Sequence, residues 1–272
     1  MMRLSVAISV CQNDSVIAFK EAIDSIIHQT VKADEIILVA DGPISDHLKS
    51  EIHNYQNHVE ELHPIYLEKN QTLGGAMRIA IETAKGKYIA RMDSDDRCVA
   101  NRFELQMDYL DNHPEISVVG GMISEFVDGT DDIVGKRLLP LEDKDIKQYM
   151  RSRNGVNHVT VMFRKDDIIA AGNYLPYFYM EDYYLWSRMI KQGYKFANLP
   201  DVLVNVRVSK EMYARRGGWN IFKSEWNLYR FMMKQGQIGV FRFILNMLER
   251  GTVHFLMPNK LRTMVYQHLL RK

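Results

Sequence analysis

The chain has 272 residues, 46% hydrophobic and 25% charged, the balance of a folded α/β domain with an appendage. Its formal net charge of +1 argues against a global attraction to nucleic acid, and two cysteines without a Cys-x-x-Cys pair argue against a disulfide framework or a structural zinc. The average hides an asymmetry: residues 207–272 carry 13 Lys/Arg against 3 Glu and no Asp, so the C-terminal quarter is basic and the rest is acidic.

Residues 1–10 are too short and too β-branched for a signal peptide, and no run approaches the roughly 18–20 apolar residues of a spanning helix. The expectation is a cytoplasmic protein, either free or peripheral on the inner face of the cell membrane. Leu4–Val10 reads as a buried strand. Asn13 or Asp14 is expected to cap a helix with Phe19, Ile23, Ile26 and Ile27 on its apolar stripe. The continuous apolar run Glu35–Ala40 suits a strand covered on both faces, and Asp41-Gly42-Pro43 ends it. A polar helix over 46–57, a strand over 64–68, a helix over about 72–84 and a strand over 87–92 follow. This β-α alternation predicts a doubly wound, mostly parallel sheet.

The last of these strands runs into Asp93-Ser94-Asp95-Asp96. Adjacent ionised carboxylates are costly at a sheet end unless a cation or hydrogen-bond donors compensate. An Asp-x-Asp there offers hard oxygen ligands for Mg²⁺ or Mn²⁺; alternatively it forms an acidic turn, with Asp96 capping the next helix. Ligands of such sheets bind beyond the carboxyl ends of the strands, where Cys11, Asn13, Asp41 and Asp93–Asp96 all fall. A Gly-x-Gly-x-x-Gly after the first strand and a P-loop are both absent, which argues against a nicotinamide dinucleotide and a P-loop nucleotide.

Further on, a helix is expected over 102–112, a strand over 116–126, irregular chain over 128–157 around a short helix near 143–151, and a strand over 158–163. Met180-Glu181-Asp182 opens a helix bearing Tyr183, Tyr184, Trp186 and Met189. A strand over 201–208 includes Arg207. The last 54 residues read as amphipathic helices, one with Phe222, Trp226, Tyr229 and Met233 on a shared face and one with Phe241, Ile244, Leu245 and Leu248.

In order and spacing, these pieces resemble the family 2 glycosyltransferases of GT-A fold over roughly residues 3–218. The carriers are Val6-Ala7-Ile8-Ser9-Val10-Cys11-Gln12-Asn13, Ser25-Ile26-Ile27-His28-Gln29-Thr30, Glu35 through Gly42, Asn70-Gln71-Thr72-Leu73-Gly74-Gly75-Ala76, Asp93-Ser94-Asp95-Asp96 and Met180-Glu181-Asp182. Two departures are Cys11, where many members carry Tyr, and Ala40-Asp41-Gly42 in place of Asp-Asp-Gly. The resemblance implies a GT-A domain over 1–218, with a nucleotide-binding half (1–96) and an acceptor half (97–218), and a basic amphipathic helical extension over 219–272.

It also implies an inverting, metal-dependent transfer of a hexose from a UDP-sugar to a saccharide or polyprenyl-diphosphate-linked saccharide acceptor. Asp41 would accept from uracil N3–H, and backbone near Val10, Cys11 and Asn13 would pack on base and ribose. Asp93 and Ser94 would serve the nucleotide sugar, with Gly74 permitting close backbone approach. Asp95 would bind Mg²⁺ or Mn²⁺. Asp182 would be the base, with Glu181 and His158 supporting it or touching acceptor. Arg207, Arg215 and Arg216 would meet the diphosphate or a lipid phosphate. Two rivals are a haloacid-dehalogenase-like phosphatase, which places its Asp-x-Asp on the first strand, and a catalytically silent nucleotide-sugar-binding module of a membrane polysaccharide complex.

Overall fold

The structure is a computed structural model and describes residues 2–128, 132–209 and 218–256. Arg215 and Arg216 lie outside the described residues.

Four parallel strands build the first half: β1 (Leu4–Val10), β2 (Glu35–Ala40), β3 (Leu62–Tyr66) and β4 (Tyr88–Met92), in the order β3-β2-β1-β4. Residues alternate across the sheet as the strand period requires. Leu4, Val6, Ile8 and Val10 enter one core layer and Ala7 enters the other. β3 lies two residues earlier than expected, and its Pro64 is tolerated because β3 is the edge strand. Helix α1 (Val16–Ile27) is capped by Ser15, whose side chain accepts from Ala18 N–H, and not by Asn13 or Asp14. Helices α2 (Asp46–Gln56), α3 (Thr72–Thr83) and α4 (Arg102–Asn112) match their expected spans, but Asn101 and not Asp96 holds the N-cap position of α4.

The sheet continues through β8 (Met162–Arg164) and β6 (Ile116–Phe126) to β9 (Lys195–Arg207) and the two-residue β5 (Arg97–Cys98). β8 runs antiparallel to both neighbours, whereas the long β6 and β9 pair in parallel. β7 (Ile133–Arg137) forms a hairpin with β6 inside the stretch expected to be irregular, where α5 (Asp143–Tyr149) also lies. The strand expected over 158–163 is instead a 3-10 turn, His158–Thr160, followed by β8 and then α6 (Lys165–Ala170). The turn matters because it delivers His158 to the site. The result is a curled and mostly parallel sheet with helices on both faces.

On the second face, α7 (Glu181–Lys191) sinks Trp186 completely, and α8 (Trp219–Lys234) adds Leu228, Tyr229 and Met232 to the same core. The apolar face of α8 is therefore rotated from the expected one, leaving Trp226 exposed. In α9 (Val240–Gly251) the expected stripe Phe241, Ile244, Leu245 and Leu248 faces solvent, and Asn246 and Met247 turn inward. Asn246 is held there by donating to the Arg151 carbonyl at 2.9 Å. No helix among the described residues is long and apolar enough to cross a membrane.

Candidate active site

A cavity of about 510 Å³ opens where β1, β2 and β4 end. Its floor is Val10, Cys11, Asp41, Asp93, Ser94 and Asp95, which the parallel strands bring together from three separate stretches of sequence. Asn13 is exposed in the turn after β1 and does not line it. Asp41 Oδ1 accepts from Gln71 N–H at 2.6 Å, and Asn70 Nδ2 donates to the Asp41 carbonyl at 3.1 Å. The carboxyl is thus aimed before any ligand arrives, and burial pushes its pKa upward. Across the cavity, Tyr177, Phe178 and Tyr179 form an aromatic wall, with Tyr179 at φ 62°.

Asp14 organises the β1 end and was not singled out from the sequence beyond capping. It accepts from Cys11 N–H at 3.0 Å, from the Cys11 thiol at 3.1 Å and from Ser94 Oγ at 2.7 Å, tying the first strand's loop to the acidic motif. Burial and this carboxylate push the Cys11 thiol up to about 11, so it stays protonated and unreactive near neutrality.

Within the acidic motif each member has its own environment. Arg91, fully buried, grips Asp93 with both terminal nitrogens, one at 2.6 Å. This is a bidentate pair, the strongest geometry for such a contact. Residues 91 and 93 share one side of the strand end, so the pairing was legible in the alternation. Asp95 is pushed up to about 6 by burial and by the charges of Asp93 and Asp14. Asp96 is buried, its carboxyl raised well above the usual range, and it accepts from Arg207 N–H at 2.8 Å.

Arg207 itself pairs with Glu21 and Asp128 and donates through Nε to the Asp95 carbonyl at 2.9 Å. Its guanidinium braces the motif from behind and lines neither cavity.

A divalent cation fits this donor set. Asp14, Asp93 and Asp95 line one wall, and burial together with the charges of Asp93 and Asp14 raises Asp95, a cost that a bound cation would relieve. Among the described residues no group of three or more His, Cys, Asp or Glu is arranged to hold a metal ion; an ion here would have to be held by one or two carboxylates and shared with substrate phosphates.

A second chamber of about 430 Å³ adjoins the first, and Asp93 and Leu73 line both. Its walls include Asn154, Asn157, His158, Tyr183 and, from α9, Arg250. His158 Nε2 lies 2.7 Å from the hydroxyl of the buried Tyr174, and its ring meets Trp186 edge-on. Burial and the nearby Arg91 hold its pKa well below the ordinary value, so it is neutral.

The start of α7 stands between the chambers. Glu181 lines the first cavity, pushed up to about 7 by burial and by Asp182. Asp182, one helical step on, turns away from that cavity. Its Oδ2 accepts from Asn154 Nδ2 at 2.6 Å and its Oδ1 from Tyr183 N–H at 2.7 Å. Burial raises its pKa, against the pull of Arg91 and Arg137. Gly74 serves this arrangement and not the cavity wall: a Cβ there would stand 3.1 Å from the Glu181 Cβ. The close approach expected of Gly74 is thus one of helix on helix.

A raised carboxyl has a stability consequence. The folded chain keeps a Glu181 proton that the unfolded chain releases above the usual glutamate range, so stability is lost as pH rises from there toward about 7. Glu181→Gln is expected to raise unfolding stability by about 2 kcal/mol at pH 8 and to change it little at pH 4. Urea melts in EDTA at the two pH values check this; an equal effect at both would contradict it.

Residues 5–203 match the family model described as Glycosyl transferase family 2. The chain belongs to that family. It is 42% identical over 265 residues to the amylovoran biosynthesis glycosyltransferase AmsE of Erwinia amylovora, with 97% of each chain covered. It is 30% identical over 270 residues to an Escherichia coli UDP-Gal:alpha-D-GlcNAc-diphosphoundecaprenol beta-1,3-galactosyltransferase, covering 99% of this chain and 97% of that one. Among solved structures it resembles S. aureus TarS 1-349 in complex with UDP-GlcNAc, at TM-score 0.65 and 16% identity, over 92% of this chain and 73% of that one. The mannosyltransferase PcManGT from Pyrobaculum calidifontis, in complex with GDP-Man and Mn2+, aligns at TM-score 0.66 and 14% identity over 98% and 74%. At such identities the likeness establishes the GT-A fold of this family 2 glycosyltransferase.

Proposed function

We propose that this family 2 enzyme transfers a hexose from a UDP-sugar to a saccharide carried on a polyprenyl diphosphate, with inversion, during surface-polysaccharide assembly at the cytoplasmic face of the membrane. The observation that carries the reading is the pair of chambers meeting at Asp93, one bearing Asp41 and Asp95 at strand ends, the other walled by Asn154, which donates to Asp182. The names of the two full-length relatives, one concerned with amylovoran and one with a diphosphoundecaprenol-linked sugar, support the acceptor class.

In this reading Asp41 accepts from the uracil N3–H, and the loop from Val10 to Asp14 packs on base and ribose. Asp93, fixed by Arg91, orients the sugar at the boundary between the chambers. Asp95 holds a Mg²⁺ or Mn²⁺ ion, which when bound offsets the charge on the diphosphate. Asp182 takes the proton from the acceptor hydroxyl as its oxygen bonds to the anomeric carbon. The bond from that carbon to the diphosphate oxygen breaks and UDP leaves with the electron pair. One base and no enzyme nucleophile give a single displacement, hence inversion. His158, neutral and tethered to Tyr174, can contact the acceptor without adding charge.

Galactose is the first donor to try. A UDP-release assay with Mn²⁺ across UDP-galactose, UDP-glucose and UDP-N-acetylhexosamines, using diphosphate-linked sugar acceptors, is expected to give turnover with one donor far above the rest. Release from none of them would overturn the proposal.

A further inference from the structure

The last two helices turn the wrong character outward for water. α9 exposes Val240 (65%), Phe241 (75%), Ile244, Leu245 and Leu248 (64%), positions i, i+1, i+4, i+5 and i+8, which form one continuous stripe. On α8, Trp219, Lys223, Trp226 and Arg230 follow at intervals of four, three and four and are likewise exposed. The Trp226 ring meets Phe243 of α9 at 5.2 Å between centroids, and Trp219 lies 6.0 Å from Phe255, so the two exposed faces adjoin. The opposite side of the same helix pair lines the second chamber through Leu228, Tyr229 and Arg250.

We propose that this outward face is a docking surface for an anionic lipid leaflet, with the α9 stripe at the acyl boundary and Lys223 and Arg230 among the headgroups. The charge pattern selects this occupant. Among the described residues of α8 and α9 the exposed cations are Lys223, Arg230 and Lys234, while the two glutamates of these helices are Glu225, buried against Arg250 and His254, and Glu249, paired with Arg153. Apolar insertion and cation attraction then act together, as they do for interfacial helices. A second copy of the chain meeting this face about a two-fold axis would set like cations against each other.

The inference deepens the proposed function and rests on its lipid-carried acceptor. The inner side of the docking helices walls the second chamber, so a carrier held in the leaflet at their outer face would be separated from it by the helix pair alone.

The test is co-sedimentation of the full chain with phosphatidylglycerol/phosphatidylethanolamine vesicles and with phosphatidylcholine vesicles. The wild type is expected to favour the anionic ones. The double substitution Phe241→Asp/Leu248→Asp is expected to lower partitioning about ten-fold or more. Lys223→Glu/Arg230→Glu is expected to abolish the preference for anionic lipid. Melting and UDP release on a water-soluble acceptor should stay unchanged in both variants. Absence of wild-type binding, or undiminished binding in Phe241→Asp/Leu248→Asp, would overturn the docking surface. So would a dimer, seen by light scattering, that the same substitutions dissolve. Vesicle binding as expected without turnover on any acceptor would support docking and sink the proposed function instead.

Discussion

Asp182→Asn is expected to lower sugar transfer about 10³-fold, the usual worth of a positioned base, with UDP affinity within a factor of about two. The amide keeps the size of the side chain and one acceptor oxygen, so the contact with Asn154 or with Tyr183 N–H survives in part. What it removes is the ability to accept the hydroxyl proton. The pH profile separates this from mere misplacement. Burial raises the Asp182 carboxyl, so the acidic limb of kcat/KM should sit above the usual aspartate range, with the rate rising as the proton leaves. The limb should vanish in the Asn variant. Glu181, poised near 7 on the donor wall, is the control. If Glu181→Gln loses the limb and Asp182→Asn keeps it, the base is Glu181.

The second large effect is expected at Asp95. With Mn²⁺ present, Asp95→Ala should weaken UDP binding about 10²-fold, and in EDTA the variant and wild type should bind UDP alike. Titration calorimetry in both conditions reads the difference directly. The substitution also relieves crowding among Asp14, Asp93 and Asp95, so the variant should melt no lower than wild type. A loss of activity through unfolding is thereby distinguishable. An equal gain from Mn²⁺ in both proteins would remove Asp95 as the ion's holder.

How far the sequence led depended on what each signal encodes. Continuous apolar runs located β1, β2 and β4 closely, because strands covered on both faces leave no other pattern. Strand ends then located Asp41 and Asp93–Asp95 at one crevice by topology alone. Three things were hidden. Ser15 displaced Asn13 and Asp14 as the cap because Asp14 is drawn across to Cys11 and Ser94, a tertiary demand invisible locally. The stripe of α9 was read correctly as a stripe, but periodicity does not say which way it points; the inward tie of Asn246 decides that. Glu181 and Asp182 looked like one motif, yet about 100° of helical rotation between neighbours leaves Glu181 on the wall of the first cavity and turns Asp182 inward onto Asn154, itself a wall of the second. Arg91 could have been found, since a cation inside an apolar strand, two residues before an aspartate, announces a partner on its own face.

Asp93, gripped by Arg91, is a wall of both chambers. With donor and acceptor seated in the two chambers as proposed, whatever order the donor imposes on that carboxylate would be presented to the acceptor, and thermodynamic reciprocity would make the effect equal in the other direction. The two substrates would then not be independent guests. An acceptor's affinity measured on the empty enzyme is a different quantity from its affinity beside a bound nucleotide sugar. Acceptor searches belong in the presence of UDP or an inert donor analogue, where the shared carboxylate already has the posture that transfer requires.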